Sequence, residues 1–427
     1  MMNNYEESFG GYGYGYGEQE PTTPTMSPFA GGAKIKVIGV GGAGNNAVNR
    51  LIESGLKCAE YIVVNTDNQD LARSKAANRI QIGAELTKGL GAGAKPEVGK
   101  AAAEADKAAL QSVLKDTDLL FITAGMGGGT GTGAAPVIAK LAKEMKILTV
   151  AVVTLPFTFE AKLRMSNALL GVEELKESVD ALITIPNDKI SKVVPKGTSF
   201  PEALKVADEV LRQGIRGIAE LIVTPSLINL DFADVKTVLK DSGIAHMGIG
   251  VAKGEKRIYD AVRCAVGSPL LNTTIEGASS VILNVTGGKN LALDEIDTAA
   301  NLIKDVIDYS ANVIFGACID ENMTDEVEVV IIATGFPQGQ NGFGMDRPDM
   351  MLRQASILSQ KLENSYNAVG ENGVANLQNP TAQASQSAYA QPVAPFQPDD
   401  PLPEAEKVDR KHRPRFVDFF MKKNSEE

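Results

Sequence analysis

The run Gly127-Gly128-Gly129-Thr130-Gly131-Thr132-Gly133 constrains this chain more than any other segment, because of what flanks it. Before it, Asp118 to Thr123 is a short apolar run that reads as a buried strand. After it, Ala134 to Lys143 reads as a helix, with Pro136 tolerable in the first turn. Strand, glycine loop and helix N-terminus together form a ready anion site, since unpaired N–H groups and the positive dipole end point the same way. Missing side chains let the backbone close around a phosphate, and the hydroxyls of Thr130 and Thr132 can add donors. A linker is also rich in glycine, but it is not wedged between a buried strand and a helix.

The same grammar repeats along the chain. Ile35 to Val40, Tyr61 to Asn65, Ile147 to Val153 and Ala181 to Ile185 are further apolar runs separated by helical stretches. That alternation predicts an α/β fold: a parallel, Rossmann-like sheet covered on both faces. Ser199-Phe-Pro-Glu202 reads as a capping box. Leu204, Ala207, Leu211, Ile215, Ile218 and Ile222 follow at helical spacing, predicting a helix from Phe200 to about Val223 that spans ~35 Å. Val281 to Val285, Asn312 to Gly316 and Glu326 to Ala333 suggest a second, smaller mixed α/β domain, with the long helix as strut.

The flanks differ in composition. Residues 1–33 hold a Tyr/Gly repeat and read as a disordered extension. Residues 337–408 are dominated by Gln, Asn, Ser, Ala and Pro and read as a flexible linker, within which Met350 to Leu362 has the composition of a short helix. Residues 409–427 restore apolar side chains amid basic charge, the pattern of a docking peptide after a polar tether. The expected division is 34–198 for the sheet with the phosphate loops, 199–223 for the strut and 224–336 for the second domain.

At 427 residues the chain has ample capacity to bury a core. A net charge of -11 argues against a nucleic-acid binder. The three cysteines, Cys58, Cys264 and Cys318, lack ligand spacing, which excludes a disulfide framework or zinc site and suits a reducing compartment. Two distant histidines, His246 and His412, offer no basis for a metal centre or a triad. No apolar run approaches the ~18–20 residues of a bilayer span, so a soluble intracellular protein without membrane insertion is expected.

Three glycine-bearing loops carry the chemistry. Gly39-Val-Gly41-Gly42-Ala43-Gly44-Asn45-Asn46 satisfies G-x-G-x-x-G directly after a strand, and Asp67 ends the next strand at a ribose-reading distance. These features alone describe an NAD-type dehydrogenase as well. A dehydrogenase, however, needs neither the second loop at 127–133 nor the third, Thr87 to Gly93. Three such loops at successive strand ends suggest donors ringed around a triphosphate, and the chain lacks the G-x-x-x-x-G-K-[ST] of an ordinary P-loop. By spacing, Glu160 and Arg164 read as a surface i,i+4 pair. Asp231 and Asp234, in Asn229-Leu-Asp231-Phe-Ala-Asp234, read as acids capping a helix over Val235 to Lys240. The alternative is a carboxylate pair, with an amide, that orients an attacking water. Lying at the far end of the strut, such acids would act on the nucleotide of another subunit.

With these residues assembled, the chain resembles the FtsZ family of bacterial, tubulin-like cell-division GTPases. The 127–133 run resembles the tubulin signature. Gly41 to Asn46, Asn65-Thr-Asp67, Pro156-Phe-Thr-Phe-Glu160, Arg164 and Asn229 to Asp234 match that family's other motifs in order, over Lys34 to Gly335. The resemblance implies a tubulin-like two-domain GTPase that hydrolyses GTP with Mg²⁺ and polymerises head to tail into the division ring at mid-cell. It implies phosphate contacts from Gly41, Gly42, Ala43, Gly44, Asn45 and Asn46 and from Gly128, Gly129, Thr130, Gly131, Thr132 and Gly133. Glu160 and Arg164 would contact ribose or phosphate, and Asp208 would read guanine. Asn229, Asp231 and Asp234 would activate water across the interface. The tail, Phe416 to Lys423, is similar to the family's adaptor-binding peptide but lacks its Ile-Pro step; the Tyr/Gly extension has no counterpart. A scaffold that binds GTP without hydrolysing it is the remaining competitor.

Overall fold

A computed structural model describes residues 33–336 apart from 57–58, 196, 224–227, 229–230, 269–274 and 309. The expectations for residues 1–32 and 337–427, and those for Cys58 and Asn229, lie outside the described residues.

The chain opens β1 (Ile35–Val40), α1 (Gly41–Glu53), β2 (Glu60–Asn65), α2 (Asn68–Arg73), β3 (Asn78–Gln81), α3 (Ala84–Thr87), α4 (Pro96–Ala105) and α5 (Lys107–Leu114). It continues β4 (Leu119–Gly125), α6 (Thr130–Glu144), β5 (Leu148–Leu155), α7 (Lys162–Lys176), β6 (Ala181–Pro186), α8 (Asn187–Val193) and α9 (Phe200–Val223). Then follow α10 (Phe232–Leu239), β7 (Gly243–Ile244), β8 (His246–Lys253), α11 (Arg257–Val266), β9 (Ser280–Gly287), α12 (Leu293–Lys304), β10 (Asn312–Ile319) and β11 (Glu326–Thr334).

The first sheet is parallel throughout and ordered β3-β2-β1-β4-β5-β6-β7. Its strands read as continuous apolar runs because both faces are covered. Val37, Val63, Phe121, Val150 and Val152 pack toward α1 and α9. Their alternating neighbours Ile38, Ile62, Ile122, Ala151 and Val153 pack toward α4 to α7. The strand order reverses between β1 and β4, and the crevice beyond their carboxyl ends is where such sheets bind ligands.

The second sheet is mixed. Its order is β10-β9-β11-β8, with β9 and β10 parallel and β11 antiparallel to both of its neighbours. α11 and α12 cover one face. The other face shares a core with the first sheet through α9, where Leu211, Ile215 and Ile218 join Val150 and Val152 to Ile249, Val330 and Ile332. The long helix has the bounds expected from its spacing. Its capping box is half formed: Glu202 accepts from the Ser199 backbone N–H at 3.0 Å and also from the Ser199 hydroxyl at 2.8 Å. β7, lying within the span expected for the second domain, instead pairs with β6 and ends the first sheet.

Candidate functional site

Two helix N-termini meet at the β1/β4 crevice. Gly41 takes φ 72° to turn from β1 into α1, and a Cβ on it would lie 2.9 Å from the backbone N of Gly131, so the first and second glycine loops touch. Neither α1 nor α6 has a side-chain cap at its start. Their free N–H groups and dipoles converge on one space, which is the physical requirement for a polyphosphate.

The second loop corrects one expectation. α6 begins at Thr130, four residues before the expected Ala134, so four of the seven residues of the glycine run are helical. The glycines here serve close packing: a Cβ on Gly133 would stand 2.0 Å from Pro96 O of α4, and one on Gly129 would stand 2.7 Å from Ala92 Cβ in the loop before α4. Gly127, at φ 96°, is pressed against the Arg164 backbone in the same way, and only Gly128 of the run faces open space. The two threonine hydroxyls have internal partners as well. Thr132 Oγ1 accepts the Gly127 N–H at 2.8 Å, and Thr130 Oγ1 bonds Thr66 Oγ1 at 2.7 Å.

Along the same edge, Glu160 Oε1 accepts the Phe157 N–H at 2.9 Å and Oε2 pairs with Arg164 Nε at 3.1 Å. The i,i+4 pair read from spacing therefore exists, with Arg164 about half exposed. Asp208, on α9, is pushed up to about 6 by burial, which the charge of Arg50 only partly opposes. Asn187 carries no motif and lies just past the strand read over Ala181 to Ile185. It opens α8 at the carboxyl end of β6, buried, with its Oδ1 lacking any hydrogen-bond partner. Asn45 Oδ1 is equally orphaned. Thr123, Gln213 and Asn284 carry orphaned oxygens as well, so it is the place of Asn45 in the first loop, and not orphaning alone, that points to a ligand.

Comparison with known proteins decides what that ligand is. Residues 34–195 match the GTPase domain of the Tubulin/FtsZ family, and residues 243–337 match the FtsZ family C-terminal domain. An FtsZ structure from M. jannaschii, an empty dimer, is 46% identical, covering 73% of this chain and 90% of that one with a TM-score of 0.70. The chain belongs to the FtsZ family. A tryptophan-to-tyrosine point mutant of M. jannaschii FtsZ gives 46% identity over 71% of this chain and 92% of that one, TM-score 0.69. CetZ2 from Haloferax volcanii, a GTPγS-bound protofilament, is 22% identical over 80% of this chain and 100% of that one, TM-score 0.63, and shares the fold.

Membership of the FtsZ family makes this a GTPase that binds GTP and GDP, and it sets aside the dehydrogenase reading. Asp67, the ribose reader of that alternative, instead caps α2 by accepting from the N–H groups of Gln69 at 2.8 Å and Asp70 at 3.3 Å. The third loop folds onto this cap, with Gly89 O accepting the Asn68 N–H at 3.1 Å. At the other end of α9, the capping reading of the acids is realised too. Asp231 Oδ1 accepts the Asp234 N–H at 2.7 Å, and α10 starts at Phe232 rather than Val235. Both carboxylates are exposed.

Proposed function

We propose that this GTPase is the subunit of a head-to-tail filament of the division ring, and that each active site is completed by the next subunit. The observation carrying this reading is distance. From Asp208, on the nucleotide side, α9 runs a further ~22 Å before it ends at Val223, and the exposed Asp231 and Asp234 lie beyond that end. Carboxylates so far from the crevice of their own chain serve a nucleotide only across a contact. A contact joining opposite ends of one molecule is heterologous and propagates. The M. jannaschii FtsZ dimer and the CetZ2 protofilament, each an assembly of a related fold, support it.

In this reading Gly41 to Asn46 and Gly128 to Gly133 hold the phosphates, Glu160 and Arg164 contact ribose or phosphate, and Asp208 accepts from guanine. Asn187 supplies a further acceptor on the base side. Asn229, Asp231 and Asp234 of the neighbour orient the attacking water. Of the oxygens at the first loop, the orphaned Oδ1 of Asn45 is the acceptor that could face a nucleotide-bound Mg²⁺. Among the described residues no group of three or more His, Cys, Asp or Glu could hold a metal, so a bound Mg²⁺ would be held mainly by the GTP phosphates. When bound, Mg²⁺ would supply charge neutralisation at the transferred phosphoryl group. Segments 34–198, 199–223 and 224–336 act as nucleotide domain, strut and activating domain. Residues 409–427 recruit a membrane-tethering adaptor at mid-cell in the cytoplasm. Among the described residues no helix is long and apolar enough to cross a membrane.

Phosphate release measured against protein concentration tests the reading. Turnover per subunit should rise steeply above a threshold; a rate per subunit independent of concentration refutes it. Asp231→Ala or Asp234→Ala should keep GTP binding and lose about a hundredfold or more in turnover. Deleting residues 409–427 should spare turnover and abolish mid-cell recruitment of the fluorescently tagged chain.

A further inference from the structure

The first glycine loop is braced by a residue that no motif marked. Asp70 sits in the first turn of α2, and its Oδ2 accepts from Asn65 Nδ2 at 2.6 Å and from Asn45 Nδ2 at 3.0 Å. The same oxygen lies 3.7 Å from where a Cβ of Gly42 would stand, so the carboxylate borders the loop itself. A carboxylate only accepts, so it forces both amides to turn their nitrogens inward and their oxygens away. Asn65 Oδ1 then accepts the backbone N–H of Thr66 at 2.9 Å, and Thr66 Oγ1 bonds Thr130 Oγ1 in the second loop at 2.7 Å. Asn45 Oδ1 is left orphaned in a residue only 1% exposed. One carboxylate thus begins a chain of bonds reaching both loops and presents a buried acceptor beside the first.

We infer that Asp70 is a positioning residue of the nucleotide site, holding the Asn45 and Asn65 amides so that the two glycine loops keep one spacing. This rests on reading residues 41–46 as the phosphate loop. A carboxylate next to phosphate is repulsive by itself. Two charge-assisted N–H bonds disperse its charge, and the positioning they provide outweighs that repulsion.

Binding of fluorescent N-methylanthraniloyl-GDP to the full chain, below the assembly threshold, provides the test, together with KM and kcat for GTP above it. Asp70→Ala should weaken GDP binding and raise KM by about tenfold, leaving kcat at saturating GTP within about threefold. Asp70→Asn keeps an acceptor oxygen for both amides and removes the charge, so it should bind GDP within about threefold of the parent chain. Rescue by Asp70→Asn separates positioning from charge, and its binding reads the inference even if Asp70→Ala fails to fold. Unchanged affinity in Asp70→Ala overturns the inference, as does equal weakening in both variants or a collapse of kcat at constant KM. Gly41→Val, which fills the contact between the loops, is the control. If it binds GDP normally, the assignment of the phosphate loop falls; if it abolishes binding while Asp70→Ala does not weaken it, only the role of Asp70 falls.

Discussion

Alanine at two glycines of the 127–133 run separates packing from ligand contact. A Cβ on Gly133 would meet Pro96 O at 2.0 Å, Lys100 N at 2.6 Å and Pro96 C at 2.9 Å. These are backbone atoms of α4 and have no rotamer to escape into. Ordinary contact needs ~3.5 Å, so α4 and α6 must part by roughly 1.5 Å. Overpacking of this kind costs about 1–3 kcal/mol, and a clash with backbone places Gly133→Ala at the upper end. Alanine's helix propensity returns at most about 1 kcal/mol. The net expectation is about 2 kcal/mol of destabilisation. Gly128 is the converse case, with nothing within 4 Å of its Cβ and a backbone outside the left-handed region. Gly128→Ala should change stability by less than about 0.5 kcal/mol. Its methyl enters the space above the α6 N-terminus, and GDP affinity should fall about tenfold, or ~1.4 kcal/mol. Urea unfolding of the nucleotide-free chain followed by circular dichroism, and titration with fluorescent GDP, read the two effects separately. A stable Gly133→Ala beside an unfolded Gly128→Ala would refute the assignment of these glycines.

Three other perturbations address the rest of the molecule. The Asp208 carboxyl is raised from 3.8 to about 6, so between those values the nucleotide-free fold holds a proton that the unfolded chain has released. Stability contributed by this group therefore falls as pH rises through that window. On the proposal that Asp208 accepts from guanine, GDP affinity should weaken about tenfold per pH unit below 6; calorimetric titration should show this, and Asp208→Asn should flatten it. Ala161 lies between Glu160 and Arg164 at φ 96° and ψ 144°, a region tolerated by glycine almost alone. Ala161→Gly should relieve about 1–3 kcal/mol of strain against about 0.4–1 kcal/mol of added chain entropy, so the melting temperature should rise. Arg257, buried, donates to Glu295 at 2.7 and 2.8 Å and to Asn290 O at 3.0 Å, tying α11 to α12. Arg257→Ala should destabilise the second sheet by about 3 kcal/mol or more, seen as faster amide exchange in α12, with GDP affinity unchanged.

How much of this was legible in the sequence depended on whether a residue's partners lay nearby in the chain. β1 and α9 have the bounds their spacing indicates, because burial on one or both faces leaves a periodic trace. β8 left none that was recognised. In His246-Met-Gly-Ile-Gly-Val-Ala-Lys253 the two glycines look like a loop, yet they belong to a strand on which α11 lies unusually close. A Cβ on Gly248 would stand 2.0 Å from Ala265 O, and one on Gly250 would stand 1.9 Å from Ala261 O. Asp70 escaped for the same reason: it joins Asn65 to Asn45, twenty-five residues upstream, and no local pattern records the bond.

Glycine is therefore the residue whose meaning depends most on tertiary contacts. In the 127–133 run one letter has three uses: a left-handed turn at Gly127, close approach of neighbouring backbone or side chains at Gly129, Gly131 and Gly133, and open space at Gly128. The strand–loop–helix context reads the run as one phosphate cradle, and the family resemblance implies contacts from residues 128–133 without telling these uses apart. In the proposed site that direct role falls to the uncapped N–H groups at the start of α6, while Gly133 lets α6 lie close against α4. Packing and binding are thus consecutive steps of one construction. A methyl at Gly133 should disturb nucleotide affinity only through the position of α6, whereas one at Gly128 acts on the ligand directly.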